Sequence, residues 1–161
     1  MRLNLSIASS LVASAIGGTA VSAGAPLPNR DDAVATTIVA AVDAAALRAT
    51  IEKLVSFGTR HTASETVSDT RGIGAARRWV ASRFAAISRD CGGCIEVVTP
   101  SQTFTGTRLP QPTEVMDVIA IQRGTSDATR VVLIAGHLDS RVTDVMNSTS
   151  DAPGANDDAS G

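Results

Sequence analysis

Apolar positions along this chain recur first at helical and then at strand spacing, and the change of period divides it. After Asp43, Leu47, Ile51 and Leu54 follow at intervals of four and three, with Val55 beside them, which places them on one face of a helix. Asp43 is the predicted N-cap, and Gly58 is predicted to end the helix as its C′ residue. A second helix is predicted to start near Ser68 to Thr70. Its stripe is Ile73, Ala76, Val80, Phe84 and Ile87, at intervals of three, four, four and three. Arg77, Arg78 and Arg83 fall beside that stripe and read as solvated, whereas Trp79 flanks it and reads as packing.

Past Cys94 the period shortens. Ile95 to Phe104 reads as a strand, with Pro100 arguing for an edge or a bulge. Gly106 to Glu114, carrying Pro110 and Pro112, reads as a connection, and Val115 to Gln122 as a second strand. Asp117 falls on the apolar face of that strand and reads as a strand-end hydrogen-bonding group. Val131 to Ala135 is a continuous apolar run between Arg130 and Gly136, the pattern of a strand buried on both faces of a parallel sheet. The order helix, helix, strand, strand, strand predicts an α/β fold with a mixed, mostly parallel sheet flanked by helices.

Composition changes this picture little. The chain is 43% hydrophobic and 19% charged, as globular domains are. Its net charge is −2, all but one of the 14 basic residues are arginine, and these are scattered rather than striped. Nucleic acid is therefore not an expected partner. Residues 1–23 read as a secretory signal, with Arg2 before the apolar Leu11 to Ile16 and Val21-Ser22-Ala23 resembling a cleavage site. That stretch is too short and too interrupted for a stable membrane span, so export to the periplasm or the extracellular space is expected. Residues 24–42 read as a linker or short arm, with 31–42 ambiguous between helix and extended chain. In an exported protein Cys91-Gly92-Gly93-Cys94 reads as a structural disulfide between Cys91 and Cys94, ahead of a redox dithiol or half a zinc knuckle.

Candidate chemistry collects where the last apolar run ends. His137 and Asp139 follow it, at the carboxyl end of the predicted strand, where ligands gather in open α/β sheets. Residues two apart in extended chain share a face, so the two project together. A metal-bound imidazole usually donates its other N–H to a carboxylate, which makes His137 a candidate zinc ligand and Asp139 its orienting partner. Asp157 and Asp158 lie among Gly154, Ala155, Ala159 and Gly161, which leave room for an ion. A carboxylate has two oxygens and can bridge two cations. His61 stands without a spaced partner and reads as a hydrogen-bonded loop histidine.

GHLDS, a polar loop and APGANDDASG together resemble the metal-binding half of the secreted dizinc aminopeptidases, which are similar to bacterial leucyl aminopeptidases and, more distantly, to glutamate carboxypeptidases. The likeness extends more loosely upstream through FGTRHT and RGIGAARRWV, so that residues 43–161 read as the N-terminal part of a metallopeptidase catalytic domain. The resemblance implies a zinc-exopeptidase-like fold and two zincs. His137 would bind one and Asp157 would bridge both. The Asp157–Asp158 peptide would be cis, with Asp158 holding local structure. It further implies hydrolysis of peptides with a free N-terminus. In that pattern the general-base Glu and the remaining ligands lie downstream of D-D-x-S-G. Glu52, Glu65, Glu96 and Glu114 precede the site and match none of them. The chain thus reads as truncated, inactive by itself, poorly folded alone and a weak binder of zinc. A single-zinc glutaminyl cyclase and a metal-free binding ectodomain are the competing readings.

Overall fold

Phe57, 1% exposed, and Ala76, fully buried, mark the place where the predicted apolar stripes meet. A computed structural model describes residues 32–127 and 129–160, so the predicted signal and most of the predicted arm lie outside the described residues. The chain divides into two units, Met1–Ala41 and Val42–Gly161. In the first, α1 (Asp32–Ala40) is helical, which resolves the ambiguity over that stretch. Among the described residues no single helix is long and apolar enough to cross a membrane.

The second unit opens with α2 (Ala44–Val55). Asp43 is its N-cap as predicted, its extended backbone letting the carboxylate accept from the Ala45 N–H at 2.9 Å. The helix stops at Val55 with Ser56 as C-cap, one residue earlier than predicted, so Gly58, at φ +71°, falls at C″ rather than C′. Only the C-terminal part of the α2 stripe is covered: Leu54 is buried and Ile51 packs beside it, while Leu47 is exposed. Then α3 (Gly72–Asp90) brings Ala75 and Ala76 against Leu54 and Phe57. Trp79 packs as predicted, its ring tilted 60° to that of Phe57 at 6.5 Å. Ala159 joins the same cluster, which anchors the acidic C-terminal motif to the helical core.

α3 begins later than predicted because the segment before it serves as its cap. Ser64 Oγ accepts from the Ile73 N–H at 2.9 Å, and the carbonyls of Phe57 and Glu65 accept from Gly72 and Gly74. The orphan amides of the first turn are thus satisfied by the loop between the helices. Arg77 departs from its predicted solvated position. It is 6% exposed, with Nη2 donating to the Glu114 carbonyl at 3.3 Å. The negative field of Glu114, Asp117 and Asp139 offsets part of the burial cost that lowers its pKa.

Pro100 splits the first predicted strand into β1 (Glu96–Val98) and β2 (Ser101–Gly106). The predicted connection is largely strand, β3 (Leu109–Met116), followed by β4 (Ile119–Ile121). β2 pairs antiparallel with β3, and β1 with β4. Pro110 and Pro112 are accommodated because the β2–β3 ladder is irregular between the Phe104–Thr113 and Gly106–Leu109 pairs. Asp117 sits at the break between β3 and β4, its N–H donating to the Pro100 carbonyl at 3.0 Å. The class is mixed α/β, with every paired strand antiparallel among the described residues. Val131 to Ala135 departs from the prediction: it pairs with no strand among the described residues, and Val131, Val132, Leu133 and Ile134 are 80–93% exposed. An isolated extended run has neither ladder partners nor a covering layer, so its burial requires neighbours that the described residues do not provide. The disulfide between Cys91 and Cys94 is present just past α3.

Gly74 shows how tightly the capping loop approaches α3. A Cβ there would run into the backbone of Thr66. Alanine normally favours a helix over glycine by about 1 kcal/mol, but forced overlap with rigid backbone costs about 1–3 kcal/mol. Gly74→Ala is expected to lower stability, which urea unfolding would show as an earlier midpoint at unchanged slope.

Candidate metal centre

The frame of the site is the turn Gly58-Thr59-Arg60, laid against the two motifs that carry its candidate ligands. Arg60 is 0% exposed and its guanidinium meets four carbonyls. Nε donates to Leu138 O at 2.8 Å, Nη1 to Leu54 O at 2.9 Å and Pro153 O at 2.8 Å, and Nη2 to Gly154 O at 3.1 Å. Leu138 lies between His137 and Asp139, and Gly154 precedes Asp157 by three residues. One side chain therefore fixes the distance between both motifs. Backbone contacts repeat the link: Ser140 N–H donates to Arg60 O, Arg60 N–H to Ser140 Oγ, and Ala152 N–H to Gly58 O. The buried Ser140 hydroxyl then donates to Ala152 O at 2.6 Å. Burial lowers the Arg60 pKa, and the charge of Asp139 opposes the shift.

On this frame the predicted residues His137, Asp139, Asp157 and Asp158 come together. His137 Nδ1 lies 3.0 Å from Asp139 O and 3.1 Å from Asp139 Oδ1, which assigns the proton of the neutral ring to Nδ1. The lone pair of Nε2 then faces Asp157 Oδ1 at 3.2 Å, with Asp158 Oδ2 at 3.8 Å. Two acceptors at that separation repel unless a proton or a cation lies between them. Two donors on a tetrahedral zinc, each about 2.0–2.2 Å from the metal, would be about 3.4 Å apart. His137 and Asp157 therefore fit two vertices of a zinc site. Among the described residues no set of three His, Cys, Asp or Glu side chains converges on one ion, so the pair is an incomplete ligand set. The Asp157–Asp158 peptide is cis, as the resemblance implied. Asp157 is 91% exposed and open to an ion, whereas Asp158 is largely covered.

His61 is a loop histidine, as read from the sequence. Ala63 N–H donates to its Nδ1 at 3.0 Å and its Nε2 lies 3.1 Å from Val145 O, so both ring nitrogens are occupied. Sequence reasoning passed over Arg60, Ser140 and Thr62. Thr62 Oγ1 donates to Asp139 Oδ2 at 2.9 Å, the carboxylate oxygen that His137 does not use. Arg60 and Thr62 both lie in the FGTRHT stretch, whose resemblance to the family was the one available signal.

Residues 117–161 match the family model of Peptidase family M28. The chain is 50% identical over 74% of its length to a probable zinc metalloprotease of Pyricularia oryzae, of which it covers 24%. A probable zinc metalloprotease of Pyrenophora teres f. teres is 47% identical over 84% of the chain, which covers 28% of that protein. The chain thus spans about a quarter of the length of these relatives. No solved structure matches it.

Two expectations follow for the metal-free protein. Arg60→Met would strand four carbonyls and leave a hole, at a cost of about 3–5 kcal/mol, read as a loss of stability in denaturant unfolding. The second concerns His137. Burial pulls its pKa down, but Asp139, through its carbonyl, charge and carboxylate hydrogen bond, together with the Asp158 charge, raises it above 6.5. A raised folded-state value means that His137 stabilises fully below the unfolded pKa and that this contribution fades as pH rises through the folded one. In an NMR titration His137 is expected to titrate above 6.5, and Asp139→Asn to move it back down.

Proposed function

We propose that this chain is part of an exported dizinc aminopeptidase acting on peptides with a free N-terminus. The observation that carries the reading is the pairing of His137 Nε2 with Asp157 Oδ1 at 3.2 Å, backed by the Asp139 contact on the far side of the imidazole. The probable zinc metalloproteases that it resembles share about half of its residues over most of its length, which supports zinc as the metal and peptides as the substrate.

In this reading His137 and Asp157 would be this chain's contributions to holding the zincs. When bound, the metals would lower the pKa of a shared water and polarise the scissile carbonyl. Asp139 keeps His137 in the Nδ1–H tautomer, and Asp158 supports the turn behind Asp157. The proton-accepting base and the ligands that complete each zinc are assigned to the part of the relatives that this chain does not span. The same assignment covers Val131 to Ala135, which would become a buried strand of a mostly parallel, zinc-exopeptidase-like sheet. Residues 1–23 would direct export and be removed.

The full-length protein is expected to release amino acids from leucyl substrates, to stop when a chelator removes its metal, and to resume with added zinc. His137→Ala and Asp157→Ala would lose zinc and turnover together, while Asp139→Asn would cost about 10–100-fold in metal affinity or activity. Hydrolysis that ignores the chelator, or zinc content unchanged in both ligand variants, would overturn the proposal. Bound zinc without peptide hydrolysis would replace the aminopeptidase with another chemistry at the same residues.

A further inference from the structure

We infer that Thr62 is a positioning residue of the metal centre, its hydroxyl holding the Asp139 carboxylate in the orientation that receives the His137 Nδ1–H. This rests on the zinc reading above and extends it to a residue outside both ligand motifs. The geometry is a chain of three side chains. Thr62 Oγ1 donates to Asp139 Oδ2 at 2.9 Å, and Asp139 Oδ1 receives His137 Nδ1–H at 3.1 Å. Nε2 on the opposite edge of the same ring faces Asp157.

A carboxylate by itself does not keep that orientation. Asp139 is partly exposed, so water competes for both oxygens, and rotation about its Cβ–Cγ bond carries Oδ1 away from the imidazole. The Nδ1–H also has a fallback, because Asp139 O lies 3.0 Å away. With only that neutral carbonyl as acceptor, the ring would still have its tautomer but would lose the anionic partner that makes it a better ligand. Thr62 opposes the rotation by holding the second oxygen. Its own position is set two residues earlier, where Arg60 exchanges backbone contacts with Ser140: Arg60 N–H donates to Ser140 Oγ and Ser140 N–H to Arg60 O. The two segments thus run side by side, Arg60 against Ser140 and Thr62 against Asp139. A β-branched side chain with restricted χ1 suits such a fixed donor.

The test measures zinc affinity of the metal-depleted full-length protein by competition with a chromophoric chelator, for wild type, Thr62→Val, Thr62→Ser and His137→Ala. Thr62→Val is expected to weaken zinc by about tenfold, the low end for loss of support to a ligand, and Thr62→Ser to stay within about twofold of wild type. Visible absorption of the cobalt-substituted protein should shift in Thr62→Val and return in Thr62→Ser. Metal-free thermal unfolding distinguishes a loss of folding from a loss of positioning, and the serine variant decides the matter if Thr62→Val melts early. Zinc affinity in Thr62→Val equal to wild type overturns the inference, as does Thr62→Ser binding as weakly as Thr62→Val. If His137→Ala binds zinc as tightly as wild type, the zinc reading falls and this inference with it. Tight, His137-dependent zinc with an unmoved Thr62→Val removes the Thr62 role alone.

Discussion

A fully buried cation without a carboxylate at salt-bridge distance among the described residues organises the second unit. The Arg60 guanidinium is neutralised instead by the dipoles of four carbonyls, drawn from α2, from the His137 motif and from the loop ahead of Asp157. Arginine suits this place for reasons of shape. Its five N–H donors lie in one plane, and its charge is weakly hydrated compared with that of an ammonium. Lysine would bring three donors on one atom and leave carbonyls on one side unmet. Such an arrangement has a strict geometry, because each carbonyl must lie near the guanidinium plane. The segments around Leu138 and Gly154 are therefore held to the same few tenths of an ångström as an ordinary hydrogen bond.

The same device recurs nearby with less burial. Arg71 donates to Thr149 O and pairs with Asp151 at 2.6 Å, tying the loop before α3 to the loop before the acidic motif. Arg78 gathers the carbonyls of Thr66, Val67 and Ser68. This gives a physical reason for the near-absence of lysine. The part of the chain that carries the candidate site residues is mostly irregular backbone, whose carbonyls lack ladder partners, and forked cations satisfy several of them at once. Regular structure positions this site at few points, through the Leu54 carbonyl that Arg60 reaches and through Ala159 and Leu138 resting on the α2–α3 core.

Much of this was legible from residue order. Periodicity located both long helices, because amphipathic stripes report directly on which face is covered. The closeness of the candidate residues was legible for a different reason: His137, Asp139, Asp157 and Asp158, which come together here, lie in motifs that local sequence announces. What periodicity missed were the places where a distant segment changes the meaning of a residue. Arg77 lies beside its stripe and looks solvated until Glu114 and Asp117 come over it. Gly106 to Glu114 looks like a loop because of its prolines, and becomes a strand because β2 tolerates an irregular ladder. The Val131 to Ala135 run shows the converse. Its pattern states what it would need, and an exposed run of four large aliphatic side chains is the form that need takes when the neighbours are not there. Thr62 carries no mark beyond its place in FGTRHT, since its meaning is a partner at sequence separation 77.

The span of the Arg60 contacts has a consequence for the order of events during synthesis. Arg60 leaves the ribosome long before its last acceptor, Gly154, which follows it by 94 residues. The contacts of Leu54 and Phe57 with Ala75 and Ala76 are local and can form while the rest is still being made, but the turn that frames the candidate site cannot close until the acidic motif has emerged. During that interval a side chain that ends up fully enclosed is a hydrated cation, with little tendency to collapse with the apolar helices or to adhere to other chains. A hydrophobic residue in the same position would present a sticky surface throughout elongation. Closing the frame with arginine lets the ligand-bearing segments arrive late and still find their seat open.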